Sequence, residues 1–196
     1  MEALRVTSER LGEVTEVIRY LRDVESAYNH LFAFELVVKE AQKRYGEEER
    51  YSWRPRRATS RTLRQIRDPE QVVLPEDRLR LHAVSIQSPG FWEFLGALNP
   101  LETIRKYLSD RHEQKKDREY RNAAEAERLR LENEKLKTEV VKERIEILRG
   151  LNIPEDRIAA ILNLHVVAPL SKLDEAQDAG LIDRAEIVEV KGKIVA

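Results

Sequence analysis

Residues 101–149 contain neither glycine nor proline, and no other feature limits the fold of this chain so strongly. Asn99-Pro100 before the segment and Gly150 after it are typical helix boundaries. A straight helix over these residues would be about 74 Å long. A domain of this chain's length has a radius of gyration of only about 16–17 Å. We therefore expect a long helix that projects from a smaller head, unless it breaks or folds back.

Charged residues make up 36% of the chain, against about 25% in an average globular domain. This proportion favours solvent-exposed helices beside a modest core. The sequence contains no cysteine, which excludes disulfides and cysteine-ligated zinc. The N-terminus does not resemble a signal peptide, and no apolar run approaches the ~20 residues of a membrane span. We expect a soluble, cytoplasmic protein.

The first hundred residues predict a head with one helix and at least one strand. Helical spacing of apolar residues extends over 8–45, with Ser8 as a candidate N-cap and Gly46 as a candidate stop. Residues 3–6 could form a strand. In residues 79–86 the apolar face switches near 83–84, which indicates a bulged strand or one buried on both sides. We expect its partner to be 3–6, 71–74 or the C-terminal tail.

The C-terminal part predicts two short helices over 152–182 and a hairpin with its turn at Lys191-Gly192. The chain is thus expected to be mainly α, in an α+β arrangement of three segments. These are a head, 1–100, with an irregular Arg-rich loop at 47–77, a long charged helix with coiled-coil character, 101–150, and a small helical element ending in the hairpin, 151–196.

Five residues of the long segment follow the a and d positions of a heptad repeat. They are Leu129, Asn133, Leu136, Val140 and Ile147. Around the first four, the segment LRLENEKLKTEV resembles a leucine zipper. This resemblance implies a parallel, in-register dimer in which Asn133 pairs with its copy. The agreement ends at Glu143, which occupies a d position. Two alternatives stay open: self-association through this helix, and packing of the stripe on the chain's own domain.

An arginine-rich stretch at 50–67 carries a local charge of +7, although the whole chain has a net charge of −1. Guanidinium groups match phosphate oxygens, and both they and aromatic rings stack on bases. The stretch therefore predicts a site for an anionic partner, such as nucleic acid, a nucleotide-like ligand, anionic lipid or an acidic protein. The alternative is a loop paired with the chain's own acidic flanks. The candidate residues are Arg50, Tyr51, Trp53, Arg54, Arg56, Arg57, Arg61 and Arg64.

A short apolar block, Phe91, Trp92, Phe94 and Leu95, lies between Pro89-Gly90 and Asn99-Pro100. A helix over 91–98 would place Phe91, Phe94, Leu95 and Leu98 on one face. That face would pack on helix 8–45, bind a partner or sit at a membrane surface. Trp92 would lie to the side of it, where it is a candidate interface residue.

No catalytic motif appears in the chain. The four histidines are not at metal-binding spacing, and neither a glycine-rich phosphate loop nor a nucleophile elbow is present. We expect His30 to be a hydrogen-bonded core residue, and we assign no metal, cofactor or catalytic residue. The favoured function is a non-enzymatic, homo-oligomeric scaffold or adaptor that could also bind another protein. Alternatives are binding of nucleic acid or another anionic ligand through 50–67, peripheral membrane attachment through 91–98, and an enzyme with dispersed catalytic residues.

Overall fold

The structure is a computed structural model that describes residues 2–8, 10, 12–48, 69, 73–86, 89–120 and 139–190. The strands are β1 (Glu2–Ser8), β2 (Arg80–Ser85), β3 (Gly90–Leu95) and β4 (Ala185–Glu189). The helices are α1 (Val14–Glu48), α2 (Leu98–Tyr120), α3 (Glu139–Gly150), α4 (Glu155–Leu162), α5 (Ala168–Ser171) and α6 (Leu173–Asp178). A 3-10 turn, Pro75–Asp77, precedes β2, and a π-helical turn, Asn163–Val167, joins α4 to α5. The fold is thus α+β and mainly helical, as the sequence predicts.

The four strands form one antiparallel sheet in the order β2-β3-β1-β4. Strand β1 lies between β3 and β4, and its residue Leu4 is opposite Phe94 of β3 and Ile187 of β4. Residues 3–6 therefore form a strand, as expected. The expected partners of β2 were wrong, because β2 pairs with β3.

Residues 91–95 form a strand, so the helix considered over 91–98 does not form. A spacing of apolar residues over eight positions fits either a helix or a short buried strand. These residues form a strand because β1 and β2 pair with the two edges of β3 through backbone hydrogen bonds. The helix that follows begins at Leu98, with Pro100 in its first turn, where a missing amide proton costs nothing.

Helix α1 begins at Val14, six residues later than the predicted start. Ser8 is the last residue of β1, and its hydroxyl donates to the carbonyl of Arg10 instead of capping the helix. The cap is supplied by Glu16, whose carboxylate accepts a hydrogen bond from the amide of Glu13 at 2.9 Å. This is the reach-back half of a capping box, and a negative charge here also suits the positive end of the helix dipole.

The described parts of the long segment belong to two helices that share one core. Leu101, Ile104 and Leu108 of α2 are fully buried, and so is Leu148 of α3. A straight helix would separate Leu108 from Leu148 by about 60 Å. Both lie in the same hydrophobic cluster, so the chain folds back instead of projecting as one rod. All three segments predicted from the sequence contribute to this cluster.

The C-terminal helices begin and end near the predicted signals. α3 ends at Gly150, and α4 starts directly after Pro154. The π-helical turn joins the two predicted short helices into a nearly continuous path that ends close to Gly180, where φ is 76°. β4 is the first strand of the predicted hairpin, and it pairs with β1. The turn at Lys191-Gly192 lies outside the described residues.

Candidate functional site: an apolar strand at the edge of the sheet

Strand β2 lies at one end of the sheet and carries a bulge. Leu81 is opposite Phe94, and Val84 is opposite Trp92, while His82 has no opposite residue. Strand residues three apart normally point to opposite faces, but the extra residue restores them to the same face. The switch that the sequence shows near 83–84 is therefore a bulge, one of its two predicted forms.

The helices cover the middle of this sheet face and stop short of β2. Leu4, Val6 and Phe94 on the covered face are at most 2% exposed. Leu81 and Val84 share that face and are 48% and 42% exposed, and Ile86 just beyond the strand is 71% exposed. Within the described part of the chain, no strand pairs with the outer edge of β2. An apolar face and a row of backbone hydrogen-bonding groups are thus available together.

Trp92 forms the boundary between the buried sheet and the exposed strand. It is half-buried, and its ring packs edge-on against Tyr20 of α1 at a centroid distance of 5.9 Å. Phe94 contacts the same tyrosine at 6.4 Å and is 2% exposed. Burial raises the pKa of Tyr20, whose hydroxyl has no hydrogen-bond partner among the described residues. In the predicted apolar block, Phe94 and Leu95 are thus buried, and Trp92 lies next to the exposed residues of β2.

The opposite sheet face carries a charged cluster around Phe91. Arg5 contacts Glu93 on the neighbouring strand through Nε at 2.9 Å and Nη2 at 2.6 Å. Its guanidinium also lies 5.0 Å from the centre of the Phe91 ring. Glu93 is 6% exposed, so this pairing satisfies an otherwise costly buried charge. The charges of this cluster thus pair within the chain, and the Arg5 guanidinium partly covers Phe91.

The predicted oligomer seam lies mostly outside the described residues. Leu129, Asn133 and Leu136 are not described, and their role stays a prediction. Val140 and Ile147 are half-buried on α3, and Ile147 packs against the chain's own core. Beside them, Val141 and Leu148 are 2% and 0% exposed. In the described part of α3, the apolar stripe contributes to intramolecular packing.

The arginine-rich stretch at 50–67 also lies outside the described residues, so an anionic partner there stays a prediction.

The four histidines have distinct surroundings. His82 is exposed at the bulge. The Nδ1 atom of His112 lies 3.1 Å from Oδ1 of Asp183, and the His165 ring is buried against the ring of His30. The expected hydrogen bond of His30 is missing at Nδ1, which has no partner among the described residues. In the same part of the chain, no cluster of three metal-ligating side chains occurs.

The exposure of β2 was not predicted, although its signal was present. The run from Leu79 to Ile86 alternates and contains only Arg80 as a formally charged residue. Such a pattern is typical of a strand with one buried face. Whether a helix covers that face depends on the path of α1 across the sheet, which no local pattern contains.

The fold places this chain among α+β proteins with a four-stranded antiparallel sheet and helices packed on one of its faces. No family model, no curated protein and no solved structure matches the chain. Among the helices in the described ranges, none is long and apolar enough to cross a membrane.

Proposed function

We propose that this protein is a non-enzymatic, self-associating scaffold or adaptor, and that two copies join through strand β2. The observation that carries the proposal is the exposed apolar face of an edge strand, with Leu81 at 48%, Val84 at 42% and Ile86 at 71% exposure. Natural proteins usually protect such edges with charges, proline, bulges or a covering loop. Strand β2 has a bulge and one charged residue, Arg80, but its apolar side chains stay exposed. An edge left apolar is a candidate interface.

A second copy is a suitable occupant because β2 is self-complementary in an antiparallel arrangement. With Leu81 opposite Val84 of the second copy, both apolar pairs lie on the same face. In this register Arg80 is opposite Ser85 of the second copy, so no like charges oppose each other across the interface. A twofold pair of this kind uses β2 of both copies and closes the assembly at two chains.

The zipper-like residues 129–140 offer an alternative route to the same self-association. Their contribution stays a prediction, whereas the described part of α3 packs on its own core. The two routes differ in the residues that they require. A substitution on β2 and a replacement of the zipper segment therefore separate them.

We expect light scattering after size exclusion to give about twice the 22.9 kDa chain mass at tens of micromolar protein. Val84→Lys should shift this mass to that of a monomer, because a lysine on an edge strand opposes strand pairing. Val167→Lys is the matched control, since Val167 is 44% exposed on the π-helical turn. A monomeric parent at every concentration would overturn the proposal, as would equal behaviour of the two variants.

A further inference from the structure

The π-helical turn presents one histidine to another across the interface with α1. In Asn163–Val167, the amide of Ala168 donates to the carbonyl of Asn163, the five-residue spacing that defines a π turn. The inserted residue turns His165 and Val166 inward, where they are 3% and 7% exposed, and leaves Leu164 and Val167 outside. The His165 ring then meets His30 of α1 at a centroid distance of 5.6 Å.

At Nδ1, neither ring has an acceptor for an added proton among the described residues. The Nδ1 atoms of both histidines are buried and lack hydrogen-bond partners within the described ranges. Burial, followed by the charge of Lys172, lowers the pKa of His30. Burial, followed by His30, lowers the pKa of His165 to about 4. Both rings are therefore neutral at pH 7.

The charged groups around the pair do not compensate for a proton on either ring. On α1, Asp23 lies about two turns before His30, and burial raises the pKa of its carboxyl group. The charges that act on Asp23 are those of Lys172, Glu175 of α6 and Arg19. Helix α5 carries no charged residue, and Lys172 directly follows it. On α4, Glu155 pairs with Arg149, and Asp156 and Arg157 are exposed at its first turn. Protonation would thus place a cation beside a second ring and a lysine.

We propose that the His30–His165 pair is an acid-operated latch. At neutral pH the two uncharged rings hold the π-helical turn against α1, and on acidification the turn and the helices α4–α6 separate from it. The opening would expose Ile158, Ile161, Leu170 and Leu173, which are now buried in the core. The latch lies away from β2, so it can operate whether or not the chain self-associates.

The direction of the effect follows from proton binding. An opened segment takes up protons near the ordinary histidine pKa of about 6.5, whereas the closed segment binds one at His165 only near pH 4. Between these values the opened state holds more protons, so the closed state loses stability as the pH falls. For His165 alone, the opening constant should rise about 20-fold from pH 7 to pH 5.

The test is native-state hydrogen exchange at pH 7 and pH 5, corrected for intrinsic rates, with EDTA present to exclude metal binding by the rings. The opening constants measured at amides of α4–α6 should be about 20-fold larger at pH 5 than at pH 7. The opening constants at amides of β1 and β3 should not show this increase. His165→Phe should remove the larger part of this dependence and leave only the contribution of His30, whose pKa is lowered less, while the exposed control His82→Gln should retain the full dependence.

Ring NMR titration of the parent protein supplies a second measurement that needs no variant to fold. The proposal requires His165 to titrate well below the ordinary value. Titration near pH 6.5 without a change in exchange would overturn it. It would also be overturned if His165→Phe and His82→Gln showed the same pH dependence. If His165→Phe does not fold, the hydrogen exchange and the ring titration of the parent protein still test the proposal.

Discussion

At the scale of single residues, Tyr28 shows how one side chain connects three parts of the head. Its hydroxyl donates to the carbonyl of Asp77 at 2.7 Å and accepts from the amide of Ala97 at 2.8 Å. Gly96 allows this close approach, because a Cβ there would lie 2.7–2.9 Å from Tyr28 ring and hydroxyl atoms. We expect Gly96→Ala to destabilise the protein by about 1–3 kcal/mol in urea unfolding, since a buried ring would have to move.

The control for this substitution is Gly150→Ala. A Cβ at Gly150 would meet nothing within 4 Å, and the residue ends helix α3. Alanine should be neutral there, or stabilising by up to about 1 kcal/mol, because it favours the helical conformation. Equal losses of stability in the two variants would show that Tyr28 does not require a glycine at 96.

At the scale of elements, an ion pair between Arg144 and Glu35 links α3 to α1, beside the apolar contacts of the shared core. Arg144 Nε lies 3.0 Å from each carboxylate oxygen of Glu35, and Nη2 lies 2.9 Å from one of them. The side chains are 16% and 10% exposed, so solvent screens them weakly. We expect Glu35→Leu to cost up to about 3 kcal/mol of unfolding free energy, because Arg144 keeps its charge and loses its main partner.

Adding Arg144→Met to Glu35→Leu should restore most of that stability, since no unpaired charge is then left in the interface. Arg149→Met is the matched control on the same helix. It breaks pairs with Glu146 and Glu155 but lies 49% exposed, so solvent screens these pairs and the loss of stability should be clearly smaller than that of Glu35→Leu. If the double variant were no more stable than Glu35→Leu, the loss would not arise from an unpaired Arg144.

At the scale of the whole molecule, the arrangement of α2 and α3 in one core separates folding from the zipper-like segment. Replacing residues 121–138 by a Gly/Ser linker of the same length removes Leu129, Asn133 and Leu136. We expect the variant to retain the parent's mass in light scattering if β2 forms the interface. Circular dichroism should show the remaining helices intact, because their buried faces lie in the shared core.

The outcome distinguishes the two routes to self-association. A monomeric replacement variant that is still folded would assign the interface to the zipper-like residues instead of β2. Combining the replacement with Val84→Lys provides the control, since this variant should be monomeric by either route.

Local patterns in the amino-acid sequence determine much of this protein. The helical spacing of apolar residues predicts α1, and the boundary signals at Pro100, Gly150 and Pro154 lie where helices begin or end. The change of face near 83–84 predicts the bulge in β2. These features depend on neighbouring residues, so they are contained in short stretches of sequence.

The tertiary structure alone decides the remaining features. Residues 91–95 become a strand because β1 and β2 are there to bond with it, and α2 and α3 fold back because their apolar faces share one core. The exposure of Leu81 and Val84, like the contact of His30 with His165, depends on which surfaces remain after the helices pack. Burial and pairing are properties of residues distant in sequence, and no local pattern specifies them.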